Sequence, residues 1–510
     1  MAKYIMLQGT SSHVGKSILT TALCRIFLQD DYKVVPFKAQ NMALNSYVTK
    51  TGEEMGRAQV AQAEAAGLEP IVEMNPVLLK PTGNSTSQVI LLGKPVGTMS
   101  AKEYHNGYSL KALSVVEQTL EKLSNEYEVV VIEGAGSPAE VNLKANDIVN
   151  MRVAKMLNAP VLLIADIDRG GALASIVGTL ELLDQDERDL IKGLVINKFR
   201  GDINLLKPAL DFLEEKTGKP VLGVIPHLDN LGIDDEDSVS LEDKNNTALL
   251  SKKAEIDIAI IRTPKISNFT DFDSLAIEPD VNLRYVKQGD AIGNPDLIIL
   301  PGSKNTSEDL LYIRDKGYEK DILALVKKNV PVIGICGGYQ MLGKEIIDPE
   351  KSESNLVNIK GLNLLPMTTT FLGKKITHQV KAETNNNFKF LNAIIDAKNL
   401  TGYEIHMGRT EFTEDVLSPF NIIQRSAENV ELVDGVVSTN QQILGTYIHG
   451  IFDNDDFRRS ILNAIRQRKG LEPLGVTVNV NALKQASYNR LADTVRSNMD
   501  MEKLRQIIGE

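Results

Sequence analysis

The amino terminus sets the tightest constraint on how this chain folds. Residues 3–8 form a short apolar run that passes directly into Gly9-Thr10-Ser11-Ser12-His13-Val14-Gly15-Lys16-Ser17 and then into the helical pattern of residues 18–29. A strand, a glycine-bearing loop and a helix in that order aim the loop N–H groups and the helix N-terminus at one point, where they can cradle phosphate oxygens. Lys16 stands where an amine reaches the outer phosphates, and the Ser17 hydroxyl stands where it can ligate Mg²⁺. Thr10 occupies the place of the usual first glycine, because five residues rather than four separate Gly9 from Gly15.

Further apolar runs at 33–37, 129–132, 160–165, 193–196 and 221–225 alternate with helical stretches such as 110–123 and 175–183. This alternation implies βαβ units and a doubly wound parallel sheet, an α/β fold. In such a sheet ligands gather beyond the carboxyl ends of the strands. That rule singles out Lys38, Gln40 and Asn41 after the second run, Asn197 after the fifth, and Glu133 just before Gly134-Ala135-Gly136. Glu133 directly follows four β-formers, which suits it to hold Mg²⁺ together with Ser17.

With 510 residues the chain is too long for one hydrophobic core and is expected to divide. Residues 229–253 are polar and acidic, and sheet patterning resumes at 256–261, 297–300 and 331–335. The expected organisation is a phosphate-binding domain over 1–235, a linker over 236–251, a second α/β domain over 252–455 and a helical segment over 456–510.

One of only two cysteines in the chain sits in Gly334-Ile335-Cys336-Gly337-Gly338, at the end of the 331–335 run. Small residues on both sides of the turn are what a strained nucleophile elbow needs to lift a side chain above a sheet. The thiol would then lie at a helix N-terminus, which favours the thiolate. A small buried hydrophobe is the competing reading of Cys336. Leu300-Pro301-Gly302-Ser303 ends the preceding strand, and its N–H groups, with the amide of Gly337, can meet a developing oxyanion. His449, after the run 443–448, is the candidate base for the thiol, and His406 is its rival.

Composition removes several classes. A formal net charge of −11 disfavours non-specific nucleic-acid binding. No apolar run is long enough to span a bilayer, and the amino terminus lacks a secretory pattern, so a cytoplasmic protein without membrane partners is expected. Two distant cysteines and six scattered histidines give no disulfide framework or metal cluster. The oligomeric state stays open.

The amino-terminal loop, Lys38, the stretch Asn75-Pro76-Val77-Leu78-Leu79-Lys80-Pro81 and Glu133-Gly134-Ala135-Gly136 resemble the dethiobiotin synthetase type of ATP-dependent carboxylate activator, a P-loop NTPase-like sheet. The resemblance implies ATP bound by Thr10, Val14, Gly15, Lys16, Ser17 and Asn197, Mg²⁺ on Ser17 and Glu133, and a reacting carboxylate near Lys38, Gln40, Asn41 and Lys80. Pro301-Gly302, the elbow through Tyr339-Gln340 and Gly445-Thr446-Tyr447-Ile448-His449-Gly450 resemble a class I glutamine amidotransferase. That implies Cys336 as nucleophile, His449 as its proton carrier, and Gly302, Gly337 and Gln340 around glutamine. The usual acid two residues after the histidine is Ile451 here, so the third member comes from elsewhere, Asp453 being one candidate.

Taken end to end, with Asp166-Ile167-Asp168-Arg169-Gly170-Gly171, Asn197-Lys198-Phe199-Arg200-Gly201-Asp202, Gly402-Tyr403-Glu404-Ile405-His406-Met407-Gly408 and Arg490-Leu491-Ala492-Asp493, the chain is similar to the cobyric acid synthase family. The resemblance implies glutamine- and ATP-dependent amidation of the b, d, e and g carboxylates of a corrinoid a,c-diamide. The rival readings are the sibling synthase that amidates the a and c carboxylates, and a partitioning ATPase of the ParA/MinD kind.

Overall fold

The computed structural model describes residues 2–82, 85–229, 231–233, 254–354, 356–476 and 478–509. The chain forms two compact units, and each is assembled from separated stretches. Met1–Ala43, Met55–Asp234 and Ala482–Glu510 make the first; Leu44–Glu54 and Asp235–Asn481 make the second. This differs from the expected division in two ways. The 456–510 segment is not one body: helix Asp455–Arg468 belongs to the second unit, whereas Ala482–Glu510 belongs to the first. A short piece of the amino-terminal half also belongs to the second unit. The expected linker, 236–251, lies outside the described residues.

The first unit is built on six parallel strands in the spatial order Val221–Pro226, Ile191–Phe199, Val161–Asp166, Lys3–Gly9, Val129–Glu133, Val34–Phe37. Val129 to Ile132 and Val161 to Ala165 are fully buried, as continuous apolar strands covered on both faces must be. Lys3–Gly9 lies between Val129–Glu133 and Val161–Asp166, so the loop after it opens between two strand ends. A smaller sheet orders Gln40–Met42, Val77–Pro81, Thr86–Leu91 and Lys94–Ser100.

The carboxyl terminus closes this unit. Tyr488, Leu491, Val495 and Leu504 share one core with Leu19, Leu23, Ile26 and Phe27 of helix Lys16–Gln29. The Tyr488 hydroxyl donates to Glu64 at 2.8 Å, and Asp30 takes Arg496 at 2.9 Å and Arg505 at 2.8 Å.

The second unit has its own six-stranded sheet, ordered Val281–Val286, Ile256–Ile261, Leu297–Leu300, Val332–Ile335, Ile443–Thr446, Val436–Val437; the first five are parallel and the last pairs antiparallel. A second sheet pairs the long strands Met367–Thr384 and Leu400–Phe412 antiparallel. Among the described residues no helix is long and apolar enough to cross a membrane.

Candidate active site

In the first unit the loop turns through His13 at φ 60° and Gly15 at φ 99°. Gly15 has two reasons to lack a side chain: its φ is left-handed, and a Cβ there would come 2.1 Å from Asn197 Nδ2. Asn197 Nδ2 donates to Val14 O at 2.8 Å, fixing the loop from strand Ile191–Phe199, two places along the sheet. Lys16 is 6% exposed, with Nζ donating to Ser11 O and Gly136 O at 3.0 Å each. Thr10 N donates to Ile164 O at 2.9 Å, so Thr10 anchors the start of the loop.

Glu133 is the hub beneath this loop. Its Oε1 accepts from Ser17 Oγ at 2.8 Å and from Lys38 Nζ at 2.8 Å, and its Oε2 accepts from Gln62 Nε2 at 2.6 Å. Burying a carboxylate is costly unless its oxygens find such donors. The structure therefore brings together Lys16, Ser17, Lys38 and Glu133, all singled out in the sequence, and adds Gln62. Gln40 and Asn41 lie on the strand Gln40–Met42. The Gln40 side chain accepts from the Tyr104 hydroxyl, and Asn41 Nδ2 donates to Gln59 Oε1 at 2.9 Å. Lys80 is buried on Val77–Pro81, the strand paired with Gln40–Met42.

In the second unit Cys336 joins strand Val332–Ile335 to helix Gly337–Leu342 at φ 51°, ψ −104°, a conformation L-residues avoid unless the surroundings impose it. The surroundings do so by close packing. A Cβ on Gly334 would lie 2.7 Å from Gly338 O, and one on Gly338 would lie 2.0 Å from Leu300 O. The Pro301-Gly302 turn is pressed onto the same place: a Cβ on Gly302 would meet His449 Cε1 at 3.0 Å, and one on Gly337 would meet Ser303 N at 2.8 Å. Gln340 bridges the wall, accepting from Thr306 Oγ1 at 2.9 Å and donating to the Tyr447 hydroxyl at 3.3 Å.

His449 is the imidazole at the thiol. Its strand stops at Thr446, and His449 is held instead by a two-way backbone pair with Tyr403, at 2.9 and 3.1 Å, and by that residue's ring stacked at 5.2 Å and 17°. The acid on His449 is Asp271, whose Oδ2 lies 2.6 Å from Nδ1 and whose Oδ1 accepts from Gly450 N at 3.0 Å. Asp453, the candidate from sequence, sits on the turn Ile451–Asp453 after the histidine, and the carboxylate on Nδ1 is not its own. Burial pushes the His449 imidazole down, but the Asp271 carboxylate and the Cys336 sulfur, both hydrogen-bonded to it, hold it up at about 10. Asp271 was missed because nothing local marks it. It lies on the turn Phe269–Phe272 in the segment that follows strand Ile256–Ile261, so the strand-end rule was the one available signal.

The His406 ring meets a backbone carbonyl and an aromatic face rather than a carboxylate. It lies 3.8 Å from Tyr447 at 15°, its Nδ1 faces Gly408 O at 2.8 Å, and burial drives it down to about 4, so it is neutral near pH 7. Its neighbour Ile405 offers the carbonyl that lies 3.6 Å from Cys336 Sγ.

Two family models match the chain. One, described as a CobQ/CobB/MinD/ParA nucleotide binding domain, covers residues 5–240; the other, a CobB/CobQ-like glutamine amidotransferase domain, covers residues 257–457. Along its whole length the chain is similar to proteins named cobyric acid synthase. It is 55% identical to that of Pelotomaculum thermopropionicum, with 100% of this chain and 97% of the relative aligned. Identity is 54% with that of Moorella thermoacetica (100% and 98% covered) and 50% with that of Streptococcus sanguinis (100% and 99%).

Proposed function

The chain belongs to the cobyric acid synthase family, glutamine-dependent amide ligases with an ATP-binding domain, and we propose how its residues divide that reaction. The acceptor is adenosylcobyrinic acid a,c-diamide, whose b, d, e and g carboxylates become amides in cobalamin biosynthesis. A carboxylate cannot expel oxide at neutral pH. Its oxygen therefore attacks the γ-phosphorus of ATP, the bond to ADP breaks, and an acyl phosphate forms. Ammonia adds to the activated carbonyl, phosphate departs, and a proton is lost. Each amide consumes one ATP and one glutamine and yields ADP, phosphate and glutamate.

The convergence of Ser17, Lys38 and Gln62 on Glu133 beside Lys16 carries the synthetase half of this reading. Lys16 holds the outer phosphates with the amides of Val14, Gly15 and Ser17, while Thr10, tied to Ile164 O, and Asn197 keep the loop in shape. Lys38 steadies the reacting carboxylate, with Gln40, Asn41 and Lys80 on the flanking strands. The Ser17 hydroxyl and the Glu133 carboxylate are hard oxygen donors that suit Mg²⁺, an ion that takes few protein ligands and fills its octahedron with water and phosphate. When bound, that ion supplies positive charge to the phosphates.

In the glutaminase half the Cys336 sulfur attacks the side-chain carbonyl of glutamine. The amides of Gly337 and the Gly302 turn meet the oxyanion, with Gln340 lining the pocket. The His449 imidazolium gives its proton to the departing nitrogen, and ammonia leaves. His449 then takes a proton from the water that opens the thioester. Asp271 keeps the ring oriented and charged.

The deciding assay is product mass after incubation with the corrinoid a,c-diamide, ATP, Mg²⁺ and amide-labelled glutamine. Label in each of the b, d, e and g positions is expected. A corrinoid left unamidated, or amidated only when the a and c carboxylates are free, would overturn the assignment.

A further inference from the structure

The stretch Leu44–Glu54 leaves the amino-terminal half of the sequence to pack in the second unit, and what it touches there is the support of the triad. Ser46 N donates to Asn268 Oδ1 at 3.0 Å, and Asn45 Oδ1 accepts from Phe269 N at 3.2 Å. These bonds pin the start of the turn that carries Asp271, where Asn268 reverses the chain at φ 52°. On the other side, the Tyr403 hydroxyl donates to Ser46 O at 3.2 Å, and the Tyr47 ring packs 5.3 Å from the Tyr403 ring, which is itself stacked on His449. Three consecutive residues therefore brace both partners of the 2.6 Å Asp271–His449 pair.

The brace is anchored at its far side by the strand Met367–Thr384. Gln379 Nε2 donates to Val48 O at 2.9 Å and to the Tyr47 hydroxyl, Thr377 Oγ1 donates to Gly52 O at 2.8 Å, and Lys375 pairs with Glu54. Val48, Tyr403 and Ile405 form a small apolar cluster, with Tyr47 against it, so the tyrosine ring is wedged between the anchor and the catalytic imidazole's neighbour. Neither end of this excursion is free. The chain enters it from Gln40–Met42 and leaves it into helix Arg57–Ala65, which carries Gln62 to Glu133.

We propose that Asn45, Ser46 and Tyr47 are positioning residues of the glutaminase centre, acting through the Asp271 turn and the Tyr403 ring to hold the imidazole between carboxylate and sulfur. The proposal rests on the reading of Cys336, His449 and Asp271 as that centre. A lever of this kind acts on turnover rather than on affinity, because misplacing a catalytic group by about 1 Å can slow a reaction about a hundredfold.

The test uses the full-length chain, with glutamate release measured against pH and ATP consumption measured with ammonium. Tyr47→Ala is expected to lower kcat for glutamine hydrolysis about tenfold, with KM changed less than about threefold. Its alkaline limb should move to lower pH as the Asp271 carboxylate loosens from His449. Tyr47→Phe, which keeps the ring, should restore kcat to within about twofold, and ammonium-driven synthesis should be unchanged in both. Asn45→Ala, which removes one hydrogen bond, provides the same readout if Tyr47→Ala unfolds. Parental kcat and pH profile in Tyr47→Ala, or in Asn45→Ala where the former unfolds, or a change in KM alone, would overturn the proposal. Glutamine hydrolysis that survives Cys336→Ala would instead overturn the reading beneath it.

Discussion

His449 reaches its carboxylate across 178 residues of chain, with Nδ1 2.6 Å from Oδ2 of Asp271. Asp271→Asn keeps the shape and removes the charge. Glutamine hydrolysis is expected to fall by about 10²- to 10⁴-fold, as it does when the acid of a Ser-His-Asp centre is neutralised, while ammonium-driven synthesis continues. The pH profile gives the sign. The carboxylate holds the imidazole at about 10 against burial, so without it the alkaline limb of glutamine hydrolysis moves to lower pH. Because the folded value lies above the unfolded one, the pair's contribution to stability is full below about pH 6.5 and is lost as pH rises through about 10. An unchanged profile in Asp271→Asn would remove Asp271 from the centre.

Cys336→Ala should abolish glutamine-dependent amidation and spare amidation with ammonium salts. Loss of both nitrogen sources would argue against two separate centres.

The φ of 51° at Cys336 also predicts a stability difference between two inactive variants. Strain at such a position is worth about 1–3 kcal/mol, and glycine relieves it while alanine retains it. Cys336→Gly should therefore unfold at a higher temperature than Cys336→Ala, by calorimetry on the full chain. Equal midpoints would show that the elbow is relaxed.

In the first unit, Glu133→Gln keeps the hydrogen-bonding shape around Ser17, Lys38 and Gln62 but weakens any hold on a divalent cation. Synthesis should fall about a hundredfold or more with either nitrogen source, as when a group that stabilises transition-state charge is removed. Basal glutamine hydrolysis should persist. Lys16→Ala should behave alike, and full synthesis in either variant would move the ATP site elsewhere.

Asp30 is partly buried, which pushes its carboxyl up, but Arg496 and Arg505 outweigh burial and hold it below the usual carboxylate range. Its contribution to stability is therefore present above the unfolded value of about 3.9 and is lost as pH falls through the lower folded value. Asp30→Asn should cost about 0.5–1 kcal/mol at pH 7, a magnitude suited to a half-exposed pair, and the difference from the parent should vanish in acid. A gap in denaturant midpoint that persists at low pH would assign the effect to packing.

Much of this arrangement was legible in the sequence where strand, turn and helix follow one another without interruption. Gly15, Lys16 and Ser17 announce themselves by local spacing, and Gly334 to Gly338 do so because the elbow's steric demands fall on adjacent residues. His449 could be read from its strand, although the strand ends at Thr446, two residues before the end of the apolar run 443–448. Asp271 and Gln62 could not, because each acquires its role from a partner far along the chain. Nothing in the sequence marked residues 44–54, and only tertiary packing reveals Tyr47 against Tyr403. The carboxyl-terminal helices were expected, but an amphipathic helix does not state which core will receive it.

Both units borrow from the opposite end of the chain, and this bears on how the molecule is made. As the nascent chain leaves the ribosome, Leu23, Ile26 and Phe27 emerge long before Leu491, Val495 and Leu504, which share their core. Likewise Tyr47 must wait for Tyr403. Neither half can finish folding until the segment that completes it has been made, and a gene divided between them would give two products that each lack a piece of their own interior.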